Sequence, residues 1–509
     1  MSGHGGTPQP ISGADPALYN VDLAPTPASA RTWRWTSVAA LWVGMVVCVP
    51  TYQLAGGLID QGMSWWQAVI TILLGNAIVL VPMALVGHAG TKHGVPFPVL
   101  LRASFGTVGA HVPSLLRGLV ACGWFGIQTW IGGSAIYQLL RVVSNGYVGA
   151  ETMAIDLPNG GRMLVEVVLP FLQINMWELG TFLAFWAVHV YFIARGTESI
   201  RWLETYAAPF LIAMGLVLLG WAYTQAGGFG GMLSTPSQFD AGGPRAGQFW
   251  LVFFPSLTAM VGFWATMALN IPDFTRYCAS QRDQLLGQAV GLPPTMALFA
   301  FISVAVTSAT VVIYGSPIAD PVALLGRMGG WAVVAALFVL AVATVTTNLA
   351  ANVVAPANGF SNLNPRKISF KAGGYITAGL GIAMFPWKLL ASTQGYIFTW
   401  LIGYSALLGP IAGILIADYF LVRRTEMNVE DLFRTHGRYR YRKGWNPKAI
   451  FALALGVAPN VPGFLLAGGF VESVPQPFVT LYTYAWFVGF LIAGATYAVL
   501  MGRKTAAEA

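Results

Sequence analysis

Two stretches of this 509-residue chain group side chains in the way a binding site would. The first is Trp124-Phe-Gly-Ile-Gln128-Thr-Trp130, where Trp124 and Gln128, four apart, share a helix face at neighbouring turns. An indole beside a carboxamide suits a planar polar ring: the indole stacks on its face while the amide reads N–H and C=O groups at its edge. The competing reading is a tryptophan that fills core and a glutamine that bonds a neighbouring helix.

The second stretch is Ala343-Thr-Val-Thr346-Thr347-Asn348-Leu-Ala-Ala-Asn352, with four hydrogen-bonding side chains in the seven residues from Thr346 to Asn352. Asn348 and Asn352 lie one turn apart, and Ala343, Thr346 and Thr347 fall on an adjoining face. Paired hydroxyls with no nearby carboxylate suit a hard monovalent cation such as sodium, provided backbone carbonyls complete its oxygen shell. Against this stands the possibility that the threonines bond back to their own helix.

Carbonyls of that kind become free where a helix is interrupted. Pro50 interrupts Gly44-Met-Val-Val47-Cys48-Val-Pro50, and a second candidate break holds Pro255 and the stretch Val261-Gly262-Phe263-Trp264. His189 is isolated among apolar neighbours, which reads as a structural histidine rather than a proton relay. Cys122 reads as a small core residue, Cys278 as a cytoplasmic thiol, and Asp418 and Glu178 fall near span ends.

The elements that hold these groups are membrane helices. The chain is 56% hydrophobic and 9% charged, against roughly 25% charged residues in a soluble domain. No Lys, Arg, Asp or Glu occurs from Trp35 to Ile59, or again from Gln61 to Thr91, and each stretch exceeds the roughly 20 residues that cross a bilayer. Twelve apolar spans are expected, near 36–57, 66–88, 112–143, 174–194, 203–224, 247–270, 290–314, 330–356, 373–391, 396–422, 449–470 and 479–502. Residues 1–30, rich in Gly, Pro, Ser and Ala, read as a disordered cytoplasmic tail rather than a signal peptide.

Charge placement sets the expected topology. One set of loops holds Arg141, Arg162, Arg245, Arg327 and Lys388, five of the 27 bases; the other 22 fall on the opposite side, eight of them in the loop 423–448. The positive-inside rule then puts both termini in the cytoplasm of a multi-pass protein of the cell inner (plasma) membrane. The basic loop reads as a topology determinant in preference to an anionic-lipid site, and 145–172 as an ordered external loop.

The same composition excludes other classes. Three cysteines give no disulfide framework, and there is no CxxC or His/Cys cluster for a structural metal. The net charge of +8 sits between apolar spans rather than on a soluble basic face, which argues against a nucleic-acid partner. A membrane enzyme would need a nucleophile and base at a common depth, and a channel a continuous polar lining. Here a few uncharged polar groups converge at one depth, which favours a carrier.

Five collinear motifs resemble the nucleobase:cation symporter-1 family, over roughly residues 30 to 500. They are Gly90-Thr-Lys-His-Gly-Val-Pro-Phe-Pro98 with Arg102-Ala-Ser-Phe-Gly106; Trp124 to Trp130; Asn270-Ile-Pro-Asp-Phe-Thr-Arg276; Asn348-Leu-Ala-Ala-Asn352; and Ala417-Asp-Tyr-Phe-Leu-Val-Arg-Arg424. The resemblance implies an all-α integral membrane protein with the leucine-transporter-type 5+5 inverted repeat, repeat one about 36–224 and repeat two about 247–422 within a core of 31–422. The basic loop 423–448 follows, then two appended helices in 449–509.

The resemblance also implies a secondary symporter, not an enzyme, acting as a monomer in the lipid bilayer without an organic cofactor. Carried over by motif, Trp124 and Trp264 would sandwich a heterocycle and Gln128 and Asn352 would bond its amide edge. Carbonyls of Gly44, Val47 and Ala343 with the hydroxyls of Thr346 and Thr347 would hold sodium, a proton being the alternative coupling ion. Two departures stand out: Cys48 replaces a side-chain amide, and Phe263 stands where a hydantoin-transporting relative has glycine. The stretches Val49-Pro50-Thr51-Tyr52 and 56–59 look most like allantoin permeases, which favours allantoin or a related hydantoin over cytosine, uracil or purines.

Overall fold

Membrane-length helices dominate the computed structural model, which describes residues 11–144, 148, 152–156, 162–166, 168–169, 171–195, 212–328, 331–391 and 394–502. Among the described residues, eight helices are long and apolar enough to cross a bilayer, or ten if each of two bent pairs is one span. Ile212–Gln225 and Phe370–Ala383 stand where the fifth and ninth spans are expected, and the first part of the fifth lies outside the described residues.

The first span is α1 (Trp35–Val46) and α2 (Val49–Asp60), which meet at 61°. Proline explains the break. In an unbroken helix the amide of residue 50 would bond the Val46 carbonyl, but Pro50 has no N–H. Cys48 N–H takes that carbonyl at 2.9 Å instead, and so no longer closes the turn on Gly44. Val47 and Cys48 leave helical geometry, at φ/ψ of −79/81° and −144/161°.

Further along are α3 (Trp65–His93), the short α4 (Phe97–Phe105), α5 (His111–Val143) and α6 (Met176–Arg195). After Ile212–Gln225, here α7, come α8 (Phe249–Asn270), α9 (Gln281–Tyr314), α10 (Pro321–Met328) and α11 (Trp331–Asn352). Next are α12 (Val354–Leu363), α13 (Phe370–Ala383), α14 (Ile402–Ile416), α15 (Pro447–Val457) and α16 (Gln476–Thr483), which bends by 88° into α17 (Ala485–Met501).

These helices pack as two groups. In one, α1, α2 and α3 pack on α9, and α8 packs on α3; in the other, α5 lies against α6, α11, α12 and α13. The last span, α17, packs along α14 and α15. Strands Thr152–Asp156 and Arg162–Glu166 pair antiparallel, as do Val168–Leu169 and Ile174–Asn175, a small β element that the all-helical reading omitted.

Two expectations need correction. The sixth span is not broken: Phe249–Asn270 is one continuous helix with Pro255 inside it. Pro255 forfeits one helical bond, its own to the Leu251 carbonyl, without ending the helix. Gly262 is small because a Cβ there would run into Ser405 Oγ and the Leu401 carbonyl, so it serves close helix packing. Second, residues 11–30 form an ordered strap across the basic face. Leu23 is fully buried, and the strap bonds at Asp15 N to Phe433 O, Asn20 Nδ2 to Ser361 Oγ and Thr26 N to Gly94 O, each 2.8 Å. Composition averaged over thirty residues hid the few apolar ones that dock.

The basic loop is equally folded. Arg423 donates from Nε to Asp418 Oδ2 at 2.7 Å with both side chains buried, and Tyr497 of α17 and Ser104 of α4 donate to the same carboxylate. Arg102 donates to the Leu432 carbonyl and, at 2.6 Å, to Asn362 Oδ1. Burial without a carboxylate partner pulls this guanidinium down to about 9. Cys278 is buried as well.

A candidate substrate and cation site between the two helix groups

Trp124 and Gln128 of α5 are both buried, as are Phe263 and Trp264 of α8 and Asn352 at the end of α11. The third span's aromatic face and the sixth span's are in direct contact. Phe263 stands edge-on to Trp124 (centroids 5.2 Å, 83°) and to Trp264 (5.0 Å, 89°). Trp264 in turn meets Trp42 of α1 edge-on at 5.1 Å. The two indoles thus bracket a phenyl ring, which narrows the space a ligand would enter.

Two aromatic residues were missed by the sequence reading. Trp400 and Tyr404 flank Trp124 at 6.1 and 6.4 Å and extend the wall into the tenth span. Their spacing of four is the signal that could have found them.

Polar atoms at this place lack protein partners. Gln128 Oε1 and Trp264 Nε1 are buried without a hydrogen bond among the described residues. Leaving a buried polar atom unpaired costs about 1–3 kcal/mol, so such atoms call for a ligand or water. Asn352 is partly engaged, its Nδ2 donating to Asn348 Oδ1 at 2.9 Å. Cys48 is turned to its own helix: Sγ lies 3.2 Å from Thr51 Oγ1, and the residue borders an apolar gap with Val49, Tyr52, Phe299 and Leu340.

The cation-type residues also converge in part. Helices α1 and α11 touch, which brings the broken first span to the eighth. Thr346 and Thr347 both donate to the Ala343 carbonyl, at 2.7 and 3.2 Å. The back-bonding reading is therefore realised, yet each hydroxyl spends only its proton and keeps its oxygen lone pairs for a cation. With the Gly44 carbonyl released from Cys48, the donor set is neutral oxygen throughout, which fits a singly charged hard ion. Among the described residues no group of three or more His, Cys, Asp or Glu could hold a transition metal.

His189 is fully buried on α6. Its Nδ1 lies 2.9 Å from the Phe185 carbonyl and its Nε2 3.1 Å from Asn348 Nδ2, so it serves as a hydrogen-bonded structural group.

A family model described as permease for cytosine/purines, uracil, thiamine and allantoin matches residues 25–489. The chain belongs to this family. It is a multi-pass membrane permease, not an enzyme. It is 48% identical over 492 residues to the purine-uracil permease NCS1 of Arabidopsis thaliana, covering 96% of this chain and 78% of the relative. It is 40% identical over 488 residues to the allantoin permease of Bacillus subtilis (strain 168), covering 95% and 93%. Among solved structures it resembles Mhp1, a nucleobase-cation-symport-1 family transporter, in a closed conformation with bromovinylhydantoin bound. That similarity has a TM-score of 0.72 at 26% identity and covers 96% of this chain and 98% of the other.

Proposed function

We propose that this permease imports allantoin or a related hydantoin together with sodium, by alternating access. The observation that carries the substrate class is the buried wall of Trp124, Phe263 and Trp264 beside the unmatched Gln128 Oε1 and Trp264 Nε1. A flat, uncharged ring with an amide edge supplies both the stacking face and the missing partners. The Bacillus relative named for allantoin and the Mhp1 complex with a hydantoin support this class.

Sodium would be held by carbonyls of Gly44, Val47 and Ala343 and the hydroxyls of Thr346 and Thr347, one set from each helix group. Tying α1 to α11 would favour the outward-open state and order the ring pocket. Substrate would then close the outer side, and rocking of one group against the other would open the basic side, proposed as cytoplasmic with both termini. Each ligand must raise the other's affinity by the same factor.

A second reading is uracil or a purine as cargo, favoured by the 48% identity to the Arabidopsis purine-uracil permease. Thermal-shift measurement of the purified chain against allantoin, hydantoin, uracil, cytosine and hypoxanthine, with and without sodium, decides between them. Allantoin or hydantoin should stabilise most, and more with sodium; a larger shift with uracil or hypoxanthine reverses the order.

A further inference from the structure

We infer that His189 is a positioning residue that fixes which atom Asn352 offers to the substrate, so that the site demands a ring N–H at that edge. The inference rests on the reading of Asn352 as a substrate contact. Two backbone carbonyls, which can only accept, fix the pattern. His189 Nδ1 lies 2.9 Å from the Phe185 carbonyl, so that nitrogen carries the proton and Nε2 holds a lone pair. Thr129 Oγ1 lies 2.7 Å from the Phe125 carbonyl, so its hydroxyl proton is committed there and the oxygen is left to accept.

Asn348 faces all three acceptors. Its Nδ2 lies 3.0 Å from Phe125 O, 3.1 Å from Thr129 Oγ1 and 3.1 Å from His189 Nε2. Only an NH₂ group satisfies such surroundings, so the Asn348 carbonyl oxygen must point the other way. There it meets Asn352 Nδ2 at 2.9 Å. Asn352 has thereby spent a donor on its own helix, and its Oδ1 is left for what enters the pocket. The amide directions, ambiguous for an isolated asparagine, are set here by donor and acceptor counting alone.

The relay spans three helices and contains no charge. With His189 buried and packed edge-on by Phe125 and Phe185 at 5.2 and 4.8 Å, the imidazole cannot swing to another partner. Removing its lone pair leaves the Asn348 amide to Phe125 O and to Thr129 Oγ1, a hydroxyl that can turn its proton toward an oxygen instead, so the preference for this orientation weakens, and with it that of Asn352. A ring whose N–H meets Asn352 Oδ1 is then no better placed than one that presents a methylated nitrogen.

The test uses the purified full chain, with hydantoin, uracil and their N1- and N3-methyl derivatives as probes. Wild type should bind at least one N-methyl derivative about tenfold or more weakly than its parent, the loss of one hydrogen bond in a buried site. His189→Leu should lose most of that discrimination, whereas His189→Gln, whose side-chain oxygen can accept from Asn348, should keep it. Unaltered discrimination in His189→Leu overturns the inference, as does wild type that binds parent and methyl derivatives alike. Nitrogen-15 NMR of histidine-labelled wild type, assigned by the signal lost in His189→Gln, reads the relay without a ligand. A neutral Nδ1–H ring supports it, and an Nε2–H ring or an imidazolium overturns it. If neither parent ring binds wild type, the functional reading fails while this spectrum still judges the relay.

Discussion

Arg117 of α5 donates from Nη2 to Asn270 Oδ1 of α8 at 2.8 Å, and from Nε to the Thr266 carbonyl at 3.0 Å, all of it buried. The pair crosses from one helix group to the other, two turns from Trp124 on the way to the basic face. If the groups rock as proposed, this pair would have to break, and it would then act as a lock on the proposed exit side.

Arg117→Ala should release that lock and bias the carrier toward the open basic side. Hydrogen exchange in α5 and α8 near residues 111–118 and 266–275 should rise, and binding of substrate from the opposite side should weaken about tenfold. Unchanged exchange at both places would leave the pair a packing feature only.

Trp124→Ala removes a stacking face worth about 1–3 kcal/mol. Titration calorimetry on the folded variant should find affinity for any planar cargo reduced at least fivefold, while the unliganded protein also melts lower, because the buried indole packs on Phe263, Trp400 and Tyr404. Equal affinity would move the ring site elsewhere.

Phe263→Gly empties the space between the two indoles. Competition binding should show hydantoins with bulky 5-substituents gaining relative to the unsubstituted ring. A uniform loss for all ligands would mean that Phe263 is only structural.

Much of the site was legible because it is local. Trp124 with Gln128, and Thr346 with Asn352, each lie within about two turns of one helix, where spacing in sequence is spacing in space. What escaped was non-local: the Arg117–Asn270 lock joins residues 153 apart, and His189 meets Asn348 across 159. The first span's break followed from Pro50, but the same inference failed at Pro255, because a packed helix can absorb one lost bond and a glycine at a tight crossing imitates a break. The strap 11–30 was misread because Leu18 and Leu23 are too few to stand out from their Gly- and Pro-rich surroundings.

The strap gives a pH prediction. The Ala17 N–H bond, then the Thr435 hydroxyl, hold the Asp15 carboxyl below its ordinary value. A depressed carboxyl contributes stability above its unfolded value of about 3.9, and loses it as pH falls through the folded value. Exchange or protease cleavage within residues 11–30 should therefore rise only below about pH 4, and Asp15→Asn should remove that acid step.

Sodium-coupled import is measured by uptake of radiolabelled allantoin into proteoliposomes under imposed gradients, with Thr347→Val in parallel. An inward sodium gradient should drive accumulation in wild type and much less in Thr347→Val, and a proton gradient without sodium should drive none. Accumulation driven by protons alone, with allantoin affinity indifferent to sodium, would rule out sodium coupling.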